Sequence, residues 1–146
     1  MATFFYIGKV PIAPGTFGTL AAVPVAIVLG LTNPMFFVFG TIIMGIIAVV
    51  VSHLYESQFG VHDSGAIVID EVVGFLVAVI WLPLTWKTLV AGFLIFRLLD
   101  ILKPFPINVI DRKIKGGVGV VLDDVAAGVV TNVVLQVTYY HTTWLT

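Results

Sequence analysis

The chain has 146 residues, 60% of them hydrophobic and only 10% charged, with a formal net charge of −1 and a mean hydropathy of +1.14. Ordinary soluble domains carry about 25% charged residues. Fifteen charged side chains cannot cover a chain of this size in water, which excludes a soluble globular enzyme, and disorder would need the opposite composition. The bilayer is the expected solvent, and the length allows one domain, 1–146. Seven Lys and Arg are too few for a nucleic-acid surface, and the absence of Cys removes disulfide, zinc–thiolate and Cys-nucleophile chemistry.

Residues 1–15 have no basic start and no long apolar run, because Lys9, Pro11, Pro14 and Gly15 interrupt them. The segment does not read as a cleavable signal; Phe4, Phe5 and Tyr6 mark it as an interfacial segment leading into a first span. Five apolar stretches follow, at 17–31, 35–51, 66–84, 89–102 and 118–137. They predict an all-α polytopic membrane bundle of about five spanning helices, the first and fourth short for the purpose. Turn residues break the pattern at Thr32-Asn33-Pro34 and between Pro83 and Lys87, where Trp81 and Trp86 mark an interface. No strong internal repeat is present. A weak echo links Ile-Val-Ile-Asp-Glu-Val-Val-Gly at 67–74 with Val-Val-Leu-Asp-Asp-Val-Ala-Ala-Gly at 120–128.

Alternating five helices places 1–16, 53–70 and 103–122 on one side, and every Lys and Arg except Lys87 belongs to that side or, like Arg97, borders it. The positive-inside rule makes that side cytoplasmic. All eight acids (Glu56, Asp63, Asp70, Glu71, Asp100, Asp111, Asp123 and Asp124) fall at or near the same side. Asp70-Glu71 and Asp123-Asp124 are embedded in apolar sequence, where an ionisable residue is costly and points to function. Asp70 and Asp123 also stand where N-caps of the third and fifth helices would sit. Arg97, Asp100 and Lys103, spaced i, i+3, read as intrahelical ion pairs, and Asp111-Arg112-Lys113 reads as a solvated turn. A cap uses one acid, however, and each embedded site has two. Adjacent helical residues point about 100° apart, so Asp70 and Glu71 together reach two neighbouring helices.

Carboxylates converging at one surface repel each other unless a cation is present. Oxygen-only ligands favour a hard ion, Mg²⁺, over Zn²⁺. Arg97, Lys103 and Arg112 are then available for an anion, an arrangement suited to phosphoryl groups. Two Gly-rich segments fit the same anion: Pro14–Thr19, whose small residues expose N–H groups at a helix N-terminus, and Gly116–Gly119, which permits close backbone approach.

These residues resemble the phosphatidylglycerophosphatase A family of integral membrane lipid phosphatases. The matching blocks are Ala-Pro-Gly-Thr-Phe-Gly-Thr-Leu-Ala-Ala-Val-Pro (13–24), Gly-Val-His-Asp-Ser-Gly-Ala-Ile-Val-Ile-Asp-Glu-Val-Val-Gly (60–74), Phe-Arg-Leu-Leu-Asp-Ile-Leu-Lys-Pro-Phe-Pro-Ile (96–107) and Asp-Arg-Lys-Ile-Lys-Gly-Gly-Val-Gly-Val-Val-Leu-Asp-Asp-Val-Ala-Ala-Gly (111–128). They occur in order and hold every acid except Glu56. The resemblance implies Mg²⁺-dependent conversion of the membrane phospholipid phosphatidylglycerophosphate to phosphatidylglycerol, at the cytoplasmic leaflet of the inner membrane. It implies Asp70, Glu71, Asp100, Asp123 and Asp124 as metal ligands and His62, Asp63, Asp70 and Asp100 as catalytic groups. Thr16, Thr19, Arg97, Lys103 and Arg112 are the implied phosphate or headgroup contacts. His62 suits a general acid or base because its ordinary pKa is near 6.5. Metal-activated water is the favoured nucleophile over an aspartyl-phosphate, since no Asp-x-Asp-x-Thr motif is present. The competing reading is a small multispan cation transporter or channel, which expects ionisable residues near the midplane rather than at one surface. The signature of CDP-alcohol phosphotransferases and the Pro-Ser-Gly-His block of histidine-based lipid phosphatases are absent.

Overall fold

The computed structural model describes residues 14–59, 68–114 and 116–143, with side chains described from 18 onward and excepting 59. Six helices and no strand occur among them: α1 (Pro14–Gly30), α2 (Pro34–Phe59), α3 (Ile69–Val79), α4 (Trp86–Leu102), α5 (Ile107–Lys113) and α6 (Gly116–His141). The proposed interfacial segment before Pro14 lies outside the described residues, as do His62 and Asp63.

The predicted breaks are local stops with identifiable chemistry. Asn33 accepts a hydrogen bond from the Met35 N–H at 2.9 Å, and Pro34 takes the first helical position, where no donor is needed. Thr85 caps α4 by accepting from the Thr88 N–H at 3.2 Å. Lys103 ends α4 in the left-handed region (φ 44, ψ 60), its N–H bonded to the Leu99 carbonyl, and Pro104 prevents continuation.

Two of the expected five spans meet the length and apolarity needed to cross a bilayer, Pro34–Gln58 and Gly116–His141. The seventeen-residue α1 and α4 rise about 25 Å, and the eleven-residue α3 about 16 Å, against a hydrocarbon core of about 30 Å. Among its described residues the expected third span, 66–84, is helical only over Ile69–Val79, and the chain turns at Ile80 and Trp81. This short helix is the axle of the bundle. Nine of its residues are buried, and α1, α2, α4 and α6 all pack against it. Its C-terminal carbonyls are met from outside: Asn132 Nδ2 of α6 donates to Ala78 O at 3.0 Å and to Ile80 O at 2.9 Å. Phe75 and Phe96 meet edge to face across α3 and α4, 6.4 Å between centroids.

The outside is apolar as well. Phe36, Phe39, Ile43, Ile46 and Val50 recur along one exposed face of α2, a surface that suits hydrocarbon rather than water.

The α3–α6 crossing fixes the site. A Cβ on Gly128 would lie 2.2 Å from Gly74 O, and one on Gly74 would lie 2.6 Å from Asp124 O. The two backbones touch, so no side chain fits between them. Gly74 faces Gly128, and Ala78 bonds Asn132. The sequence offset is the same 54 in both pairs, so the helices run parallel. The weak echo in the sequence is thus a physical correspondence between the two crossing helices.

Candidate active site

Residues four apart on a helix share a face, one turn apart. Asp70 precedes Gly74 by four, and Asp124 precedes Gly128 by four. The parallel crossing therefore brings Asp70 and Asp124 toward each other one turn below the touching glycines. Both are buried, at 2% and 4% exposure. Asp124 lies beside Asp100 of α4 and within electrostatic reach of Asp70 and Asp123. Acids from three helices converge, as the sequence reading expected.

Neither acid is the cap that one reading of the sequence allowed. The cap position of α3 is Val68, and Asp70 sits in the first turn, where its Oδ1 accepts the Glu71 N–H. Helix α6 begins at Gly116, so Asp123 and Asp124 lie two turns inside it, roughly 10 Å from its start. The glycines at 116–119 belong to the helix and serve close packing: a Cβ on Gly117 would lie 2.5 Å from backbone of α2 at His53 and Val49.

Asp70 and Glu71 diverge as helical geometry demands. While Asp70 faces α6, Glu71 Oε1 lies 3.9 Å from Arg97 Nη1, and Glu71 Oε2 would be 2.8 Å from a Cβ at Gly18 of α1. Gly18 admits the carboxylate beside the helix, next to the buried Thr19. Arg97 also pairs with Asp100 one turn on, as predicted. Its Nε is buried without a hydrogen-bond partner.

Lys103 does not complete an intrahelical pair with Asp100. From its left-handed position it reaches Asp123 Oδ2 at 2.7 Å and Asp111 Oδ1 at 2.9 Å. Asp111 is accordingly not in a solvated turn. It lies on α5, a short helix spanning the charged end, held by the buried Ile107. Nothing in the local sequence around 111 distinguishes an ion-paired acid from a turn acid; the partner comes from another element. Arg112 is exposed on the last turn of α5. Thr16 belongs to α1, but its side chain is not among those described.

A non-glycine left-handed residue costs about 1–2 kcal/mol, and the two ion pairs of Lys103 offset that cost. Lys103→Met should keep the strain and strand Asp123, lowering stability by about 2–3 kcal/mol. Lys103→Gly should recover about 1 kcal/mol of this by relieving the backbone. Chemical unfolding of the two variants in detergent checks the order; equal stability would remove the backbone contribution.

The donor chemistry suits a hard cation, since the cluster offers carboxylate oxygens only. Among the described residues no three His, Asp or Glu are grouped closely enough to hold an ion. The cationic groups inside the cluster are Arg97 and Lys103.

Fold and site together define a small helical-bundle protein with an acid–base cluster at one end and apolar surface along its length. The profile of the phosphatidylglycerophosphatase A family matches residues 1–139, and the chain belongs to that family. It is 39% identical over 143 residues to phosphatidylglycerophosphatase A of Escherichia coli, covering 97% of this chain and 83% of that protein. It is 35% identical over 142 residues to the Haemophilus influenzae protein of the same name, covering 96% and 87%. A Bacteroides thetaiotaomicron protein with the provisional name phosphatidylinositol-3-phosphatase is 32% identical over 150 residues, covering 94% and 90%. No solved structure matches.

Proposed function

We propose that this chain hydrolyses the phosphomonoester of phosphatidylglycerophosphate, giving phosphatidylglycerol and phosphate, with Mg²⁺ at the cytoplasmic face of the inner membrane. One observation carries the reading: in a member of this family, Asp70, Asp100, Asp123 and Asp124 converge beside Arg97, whose buried Nε has no partner. A buried donor with no acceptor is costly and rare. A phosphate oxygen is an acceptor that would satisfy it with a charge-assisted bond.

In this reading Arg97 and Lys103 bind and orient the phosphate, whose charge reaches about −2 near neutral pH. Asp70, Glu71, Asp100, Asp123 and Asp124 are the acids that would hold Mg²⁺, and the ion would supply neutralisation of the phosphate oxygens. Water attacks phosphorus, the bond from phosphorus to the glycerol oxygen breaks, and that oxygen leaves with a proton. Asp100 or Asp70 takes the proton from the attacking water. His62 and Asp63, the catalytic pair the resemblance implies, return one to the leaving oxygen. The exposed faces of α2, α4 and α6 lie in hydrocarbon, so the acyl chains stay in the bilayer while the headgroup reaches the site. A transporter reading is not favoured, because among the described residues the acids gather at one end of the bundle instead of lining a path through it.

The test is phosphate release from phosphatidylglycerophosphate by purified protein in detergent. Release should stop in EDTA and return with added Mg²⁺. Release that persists in EDTA would remove the metal, and none under any condition would remove the phosphatase reading.

A further inference from the structure

A wholly apolar groove of about 350 Å³ runs between α1 and α4, lined by Leu20 and Val23 on one side, Leu89, Phe93 and Leu94 on the other, and Trp86 toward its far end. Leu89, Phe93 and Arg97 are spaced i, i+4, i+8, with Asp100 on the next turn, so one face of α4 is apolar through Phe93 and charged from Arg97 onward. The α1 wall shows the same change: Leu20 directly follows Gly18 and Thr19, and Gly18 packs against Glu71. Both walls therefore pass from apolar to charged at the same end, the end that holds the acid cluster.

A phosphate ester without a tail has no use for such a slot. A molecule with phosphate at one end and hydrocarbon at the other matches both of its parts. Resting on the phosphatase reading above, we propose that this groove holds one acyl chain of the lipid substrate while its phosphate lies at Arg97. Moving an acyl chain from bilayer to groove changes its surroundings little, because lipid tails are as apolar as the leucines lining the slot. The groove thus contributes orientation more than affinity. It fixes the direction in which the headgroup leaves the hydrocarbon, and so the placement of phosphorus against Arg97 and Asp100. A misplacement of about 1 Å at a reacting centre costs up to about 100-fold in rate.

The test fills the slot. Leu94→Trp places a larger ring in the groove, while Leu98→Trp, on an exposed position of the same helix outside the lining, is the control. With dioleoyl phosphatidylglycerophosphate in mixed micelles, Leu94→Trp should lower kcat/KM by about tenfold or more. With a water-soluble dibutyryl analogue its kcat/KM should stay within about twofold of the parent chain, since a short chain does not use the slot. Equal losses on both substrates, or no loss on the long-chain lipid, would overturn the proposal. A second measurement does not need turnover: a phosphatidylglycerophosphate with a diazirine in one acyl chain, photolysed in nanodiscs, should label α4 peptides around Leu89 and Phe93 and fail to do so in Leu94→Trp. Label spread evenly over all apolar faces, as bulk lipid or detergent would give, overturns the groove even when phosphate release succeeds. Absence of phosphate release with the labelling intact removes the phosphatase reading and leaves the groove.

Discussion

Asp124→Asn is expected to lower phosphate release by roughly 10²- to 10³-fold while leaving the protein as stable as before, or more so. The size follows from removing one preorganised charged group from a water-poor site. The sign of the stability change separates function from structure. Asp124 is buried at 4% exposure against Asp100, with Asp70 and Asp123 nearby. Like charges held together cost free energy, and Asn keeps the shape and a hydrogen-bonding oxygen while removing the charge. A carboxylate kept for the fold would behave oppositely. Asp123→Asn supplies that contrast: its carboxylate meets Lys103 Nζ at 2.7 Å, so its loss should destabilise. Phosphate release per folded molecule, with thermal unfolding in detergent, gives both readouts. Full activity in Asp124→Asn would remove the acid cluster as the catalytic centre.

The largest effect on the fold is expected at the α3–α6 crossing. Gly128→Ala and Gly74→Ala each place a methyl group within 2.2–2.6 Å of backbone atoms of the facing helix, and backbone cannot rotate away as a side chain can. Overpacking costs typically 1–3 kcal/mol and sometimes more; with backbone on both sides, about 3 kcal/mol or more is expected. Activity should fall with stability, because separating the helices moves Asp70 away from Asp124. Gly45→Ala is the control. Its nearest neighbour would be 3.7 Å away, and it should gain up to about 1 kcal/mol of helix propensity. Thermal unfolding that ranks Gly45→Ala below Gly128→Ala would show that the crossing is not as tight as described.

What was legible in the sequence was whatever a local rule could carry. The helical class followed from apolar runs too long for strands. The gathering of charge at one end followed from counting acids and bases between those runs. The stops at Asn33-Pro34 and before Trp86 followed from turn residues. The divergence of Asp70 and Glu71 followed from helical pitch. Other features depended on contacts between distant elements. Residues 116–119, three of them glycine, look like a break, since glycine disfavours helix. They are helical because α2 presses against them, and packing overrides propensity. The third apolar stretch looks like a full span, yet Asn132 satisfies carbonyls at the end of α3 and lets it stop at Val79. The Lys103–Asp111 pair joins residues eight apart through a left-handed turn that no periodicity announces. The echo at 67–74 and 120–128 was visible as text, but its meaning needed the parallel crossing.

That crossing also sets an order of events during synthesis. Helix α3 is nearly all buried, and its principal neighbour is α6, whose Asp124 lies 54 positions after Asp70. Chains are made from the N-terminus at about 5–20 residues per second, so α3 exists for some seconds before α6 can enclose it. Through that interval Asp70 has no Asp124 beside it, Asn132 has yet to reach the end of α3, and the touching glycines have nothing to touch. The acid cluster is therefore the last part of the molecule to assemble, and a nascent chain stalled before α6 does not yet contain it.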